Sequence, residues 1–170
     1  MVILFSNRKS KIEKEIIEIL TSNGGDYISD KTVMSGKGLF TVISEYKKTE
    51  LNLKNCVALI LDDGTRFENQ NFPDGTIGIC EDKNIKALSI FQRNNIPVIS
   101  CGMNGKNTIT LSSFNSDTLF ASLQRTVTDT NGKDIEPEEF KIRLTKKYSP
   151  FSVMASTAVL LLCGIMPNQF

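Results

Sequence analysis

The sequence predicts a three-layer α/β domain, Rossmann-like or P-loop-like, with a mainly parallel sheet, an antiparallel extension and a buried C-terminal helix. Three observations lead there. Val2 to Leu20 reads as a strand, a five-residue loop and an amphipathic helix. Short apolar runs at Val57 to Leu61, Thr76 to Cys80 and Pro97 to Cys101 have the composition of strands buried on both faces. From Asn107 onward the pattern alternates with period two.

Each element follows from its residues. After the strand Val2 to Phe5, the helix from Lys11 places Ile12, Ile16, Ile19 and Leu20 on one stripe and ends at Asn23-Gly24-Gly25. Lys31 to Met34 and Leu39 to Tyr46 alternate like strands around Ser35-Gly36-Lys37-Gly38, which predicts a hairpin. Between the second and third apolar runs, Asn84 to Asn95 carries Ile85, Leu88 and Phe91 at helical spacing, completing a βαβ unit. Ile109 to Ser113, Leu119 to Thr128 and Glu139 to Thr145 read as strands, the last two joined through Thr130-Asn131-Gly132-Lys133. Phe151 to Ile165 closes the chain as a helix, with Pro150 suited to its first turn and Gly164 and Pro167 to its end.

A chain of 170 residues is expected to form one domain, residues 1–170, with one core. Its 20 basic and 19 acidic residues are interspersed, leaving no basic stripe for nucleic acid and no polybasic membrane segment. The aromatic residues are spread too evenly for a base-stacking platform. Histidine is absent and Cys56, Cys80, Cys101 and Cys163 have no C-x-x-C spacing, which argues against a zinc site and Ser-His or Cys-His catalysis. Free, buried thiols and a cytoplasmic location are expected. Arg8, Lys9 and Lys11 follow the first strand at once, which does not fit a signal peptide. Phe151 to Met166 is uncharged but short of the ~20 residues that a membrane span needs.

The loop Ser6-Asn7-Arg8-Lys9-Ser10 stands where a phosphate-binding loop would stand, at the amino end of a helix whose first N–H groups and dipole attract anions. Lys9 and Ser10 match the Lys and hydroxyl of a P-loop, but the glycines that let a backbone wrap phosphate are missing. The other reading is an ordinary βα turn with Asn7 or Ser10 capping the helix. Asp62 and Asp63 end one predicted strand and Glu81 and Asp82 another, so four carboxylates could meet at the ligand crevice and hold Mg²⁺. Alternatively, Asp82 caps the next helix and Asp62-Asp63-Gly64 forms a turn.

Two further segments imitate motifs. Cys101-Gly102-Met103-Asn104-Gly105-Lys106-Asn107-Thr108 has a strand running into Gly-x-Asn-Gly-Lys, but Asn107 replaces the hydroxyl and a strand follows where a helix must begin. It reads as a tight connection using glycines at positive φ. Leu59 to Thr65 echoes the D-x-D-G-T of haloacid-dehalogenase-type phosphatases, but Leu61 stands where the nucleophilic aspartate belongs. Lys106 with Ser112 or Ser113 has no supporting spacing for a Ser-Lys pair.

In order, these pieces resemble the central, ATP-binding domain of the Mur ligase family, which joins amino acids to the cell-wall precursor. Ser6-Asn7-Arg8-Lys9-Ser10 is similar to T-N-G-K-T, and Ile16 to Gly24 to the helix that follows it. Ile79-Cys80-Glu81-Asp82 is similar to the N-A-D-D turn, and Val98 to Gly102 to the next strand. Leu162-Cys163-Gly164-Ile165 is similar to the Leu-Gly-Ile that ends the apolar helix. Glu45 would stand for the metal-binding Glu. The resemblance implies a bacterial setting and a site for ATP and Mg²⁺. The chain departs from the family in the P-loop glycines, in every His-containing motif and in the Asn before the final helix, replaced around Ser149-Pro150. The family's flanking domains are also not seen in this sequence.

The expectation is therefore a degenerate relative without ligase activity, binding a nucleotide, another phosphorylated ligand or a protein partner at the strand ends. Two alternatives remain open. One is a Mg²⁺-dependent enzyme processing a nucleotide or phosphoester, with Lys9 as phosphate clamp and Ser10 and the carboxylates holding metal. The other is a subunit, of a homo-oligomer or of a larger complex, whose partner supplies missing domains through the hairpins or the C-terminal helix.

Overall fold

The computed structural model describes residues 1–6, 10–45, 53–62, 67, 69–114 and 117–170, with the backbone alone at 45, 113 and 114. The first four strands are β1 (Val2–Phe5), β2 (Gly25–Ile28), β3 (Val33–Met34) and β4 (Phe40–Glu45). The central strands are β5 (Val57–Ile60), β6 (Ile77–Glu81) and β7 (Val98–Cys101). The last five are β8 (Ile109–Phe114), β9 (Thr118–Leu123), β10 (Val127–Thr128), β11 (Asp134–Ile135) and β12 (Glu138–Arg143). The helices are α1 (Lys11–Ser22), α2 (Ile85–Arg93) and α3 (Pro150–Leu162). Among the described residues, ten strands form one mixed sheet in the order β12-β9-β8-β7-β6-β5-β1-β4-β2-β3. From β8 to β2 every pairing is parallel, while β9, β12 and β3 add antiparallel edges.

Strands β1 and β5 are buried on both faces, as their unbroken apolar composition demands. Val2, Leu4, Val57 and Leu59 turn toward the layer of α1 and α3. Ile3, Phe5, Ala58 and Ile60 turn toward α2, where Phe5 packs edge-on against Phe67 (centroids 4.8 Å apart) and Phe72 (5.5 Å). Helix α3 is core from end to end, with Phe151 through Leu162 buried against α1 and the sheet. It is therefore not the interface that the subunit reading offered. Among the described residues no helix is long and apolar enough to cross a membrane.

The expected hairpin around residues 35–38 is not formed. Its first arm, β3, pairs instead with β2, a strand hidden in the residues taken as the helix stop, through a turn in which Ser29 N–H donates to the Thr32 carbonyl (2.9 Å). The chain then crosses back over β2. Lys37 and Leu39 N–H donate to the Gly24 carbonyl, and a Cβ on Gly36 would lie 2.3 Å from the Gly25 oxygen, so this crossing needs glycine. Leu119 to Thr128 is not one strand either. It breaks after Leu123, and the Asn131-Gly132 turn closes the separate β10–β11 ribbon, while β12 returns to pair with β9. In α2 the buried face is Ala87, Ile90 and Phe91, and Ile85 is exposed.

Candidate functional site

Strand β1 lies between β4 and β5, and the chain leaves it through α1 for β2 on one side before β5 builds the sheet on the other. That reversal is the topological switch point, outside whose carboxyl strand ends open α/β sheets bind ligands. Ser6 and Ser10, which flank the connection from β1 to α1, stand at this point, and Leu61 N–H donates to the Phe5 carbonyl (3.0 Å), joining the ends of β1 and β5. Asn7, Arg8 and Lys9 lie outside the described residues. The two ends of the turn are described: Ser6 is buried, and Ser10 is the N-cap of α1, its Oγ accepting from Glu13 N–H (3.0 Å). Glu45 stands in register with Phe5 at the end of the neighbouring β4.

Glu13 is the group that sequence reasoning missed. In the first turn of α1 its carboxylate is 1 % exposed and accepts the Ser44 hydroxyl (3.0 Å), which accepts in turn from Tyr27 Oη (3.0 Å). A buried negative charge at a helix amino end satisfies the dipole from within and opposes a bare anion docking there. The Ser10-Lys11-Ile12-Glu13 spacing spells a capping box, which would keep Glu13 on the helix surface. Only the placement of Ser44 beside Leu4 shows where the carboxylate goes.

Two asparagines tie the neighbouring strand ends together. Asn84, not Asp82, caps α2: its Oδ1 accepts Ala87 N–H (3.0 Å), and its Nδ2 donates to the Asp62 carbonyl, tying the ends of β5 and β6 together. The Asp82 carboxylate is instead occupied by Asn107 Nδ2 (2.8 Å), and Asp82 N–H donates to the Cys101 carbonyl (2.9 Å). Asp62, Glu81 and Asp82 thus stand on adjacent strand ends, and Asp63 lies outside the described residues. Among the described residues no three Asp, Glu, Cys or His groups converge to hold a metal ion.

The second P-loop imitation is a connection between β7 and β8, closed by Asn107 N–H on the Asn104 carbonyl (2.9 Å). Its glycines do not take positive φ. Gly102 is required for space, because a Cβ there would lie 2.3 Å from Asp82 Oδ2 and 2.5 Å from Asn107 Nδ2. All four cysteines are free, and burial pushes their thiols up, that of Cys80 to about 12 and that of Cys163 to about 11.

The described strands and helices define a mainly parallel α/β domain with its switch point at β1. Its architecture is Mur-ligase-like. The chain is similar to the solved UDP-N-acetylmuramate:L-alanyl-gamma-D-glutamyl-meso-diaminopimelate ligase (MPL) from Neisseria meningitides, with a TM-score of 0.55 and 10 % identity. The match covers 99 % of this chain and 62 % of that one. No family model matches the sequence, and no curated protein does. At this identity the likeness is one of fold.

Proposed function

We propose that residues 1–170 form a Mur-ligase-like domain that holds a nucleotide or other phosphorylated small molecule at the ends of β1, β5 and β6 without ligating it. Placement of the β1–α1 turn at the switch point, with the capped amino end of α1 behind it, carries this reading. Ser6 to Ser10 would contact phosphate, with Asp62, Asp63, Glu81 and Asp82 lining the crevice. The missing loop glycines and the Glu13 charge favour loose binding over the tight phosphate grip that catalysis of transfer requires.

A thermal-shift titration with ATP, ADP and UDP, each with and without Mg²⁺, tests it. Saturation at a hundredfold over Kd stabilises by about 2.7 kcal/mol, which for a chain of this size is a rise of roughly 5–10 °C. Lys9→Ala should abolish the rise, Asp62→Ala should reduce any Mg²⁺-dependent part, and Glu13→Gln should tighten binding. Absence of any shift would remove the reading, and Mg²⁺-dependent turnover would replace it with the enzymatic one.

A second reading, a protein partner, is favoured by one observation. The β2–β3 edge exposes Ile28, Val33, Met34 and Leu39, with Val33 78 % accessible, and exposed apolar edge strands recruit other chains. A mass by light scattering that rises with concentration, and falls back in Val33→Lys, would support it.

A further inference from the structure

At the opposite, amino end of the parallel strands the sheet splits. β7 and β8 pair only at Cys101 and Ile109, and below that point Pro97 to Ile99 on one side and Thr108 with Arg125 to Asp129 on the other line a cleft of about 420 Å³. Both walls are strand edges. Gly78 N–H donates to the Pro97 carbonyl (2.8 Å) in the register Gly78–Val98, so the peptide groups of residues 97 and 99 turn to β6 and those of Val98 turn the other way, to the cleft side. The next carbonyl on that edge, Ser100, is already taken by Thr108 N–H (3.0 Å), which closes the cleft at that end. On the far wall, Asp129 N–H donates to the Lys133 carbonyl (2.8 Å) and Val127 pairs with Ile135, so the main-chain groups of Thr128 turn away from β11.

We propose that this cleft takes the free carboxyl end of an extended peptide from a partner protein, added as a short strand parallel to β7. Main-chain bonds to Val98 and Thr128 supply the register, and the apolar floor of Ile77, Ile99 and Val127 receives alternate aliphatic side chains. Charge sets the direction. Arg125 is the cation lining the cleft and stands at its closed end, since Gln124 N–H donates to the Thr108 carbonyl (2.9 Å) and the Arg125 guanidinium reaches the Lys106 carbonyl. A strand parallel to β7 entering from the open end brings its terminal carboxylate to that guanidinium, which keeps donors to spare. Asp129, the acid in the lining, does not oppose it strongly, because its carboxylate is occupied by Asn131 N–H (2.7 Å) and Lys133 N–H (2.9 Å).

The test is fluorescence polarisation of dye-Gly-Ser-Gly-Val-Ile-Val with a free carboxylate, titrated with the intact chain. Saturable binding is expected, weakened at least about tenfold by amidating the carboxylate or by Arg125→Ala, whose melting should match wild type because the side chain is exposed. N-methylation of the penultimate peptide amide should also weaken binding, and this control leaves the protein untouched. No saturable binding, or binding indifferent to both the amidation and Arg125→Ala, would overturn the proposal. Neither result bears on the nucleotide reading, which concerns the other end of the sheet.

Discussion

Glu15 in α1 caps a helix 134 residues further along the chain. Ser149 begins α3 without a side-chain cap of its own, and Glu15 Oε2 accepts both its N–H (2.9 Å) and the hydroxyl of the fully buried Ser152 (2.7 Å). Burial alone would raise the Glu15 pKa. The bonds from Ser152 and Ser149 and the Lys11 ammonium 3.6 Å away outweigh burial and hold the carboxyl below its ordinary 4.5. Glu15→Ala removes a cap worth about 0.5–2 kcal/mol and leaves the Ser152 hydroxyl buried without its acceptor, at about 1–3 kcal/mol. The expected loss is about 3 kcal/mol, or roughly 6–12 °C in Tm. Because α3 is core, the loss is global rather than local fraying. Glu15→Gln keeps an acceptor and should lose about 1 kcal/mol. A depressed folded pKa contributes stability that is complete above the unfolded value near 4.5 and disappears as pH falls through the folded value. Urea unfolding followed by circular dichroism at pH 7 and pH 3 should therefore show the Gln deficit at the first and its narrowing at the second. A Glu15→Ala loss under about 0.5 kcal/mol, or a Gln deficit equal at both pH values, would refute the reasoning.

Three further outcomes follow from packing. Gly78→Ala would place a Cβ 2.9 Å from the Phe91 ring and should cost about 1–3 kcal/mol in urea unfolding. The hydroxyls of Ser156 and Thr157 are buried in α3 without hydrogen-bond partners among the described residues, so Ser156→Ala should be neutral or stabilise by up to about 1 kcal/mol, measured the same way. Native protein should react slowly with a thiol reagent at pH 8, Cys163 first because it alone is partly exposed, and all four cysteines should react on unfolding.

Much of the parallel core was legible because it is local: Val2 to Phe5 and Val57 to Ile60 are unbroken apolar runs, and strands buried on both faces have that composition. Ser10 as a cap was legible for the same reason. The failures are non-local. Gly24-Gly25 is a sound helix stop, yet β2 begins at Gly25 because β4 and β3 pair with it from further along the chain. Asn84 and Asn107 are ordinary turn residues in sequence, yet their roles depend on strand ends 22 and 25 residues away. Glu13 and Glu15 lie off the stripe of Ile12, Ile16, Ile19 and Leu20 in α1 and are still both buried, because Ser44 and the start of α3 meet them from elsewhere in the chain.

Phosphate held between β1 and α1 is read most directly by amide chemical-shift mapping of isotope-labelled protein titrated with Mg²⁺-ATP. Saturable shifts concentrated at Ser6, Ser10 to Glu13, Asp62 and Glu81 to Asn84 are expected. Shifts confined to the opposite end of the sheet, or none at millimolar nucleotide, would contradict it.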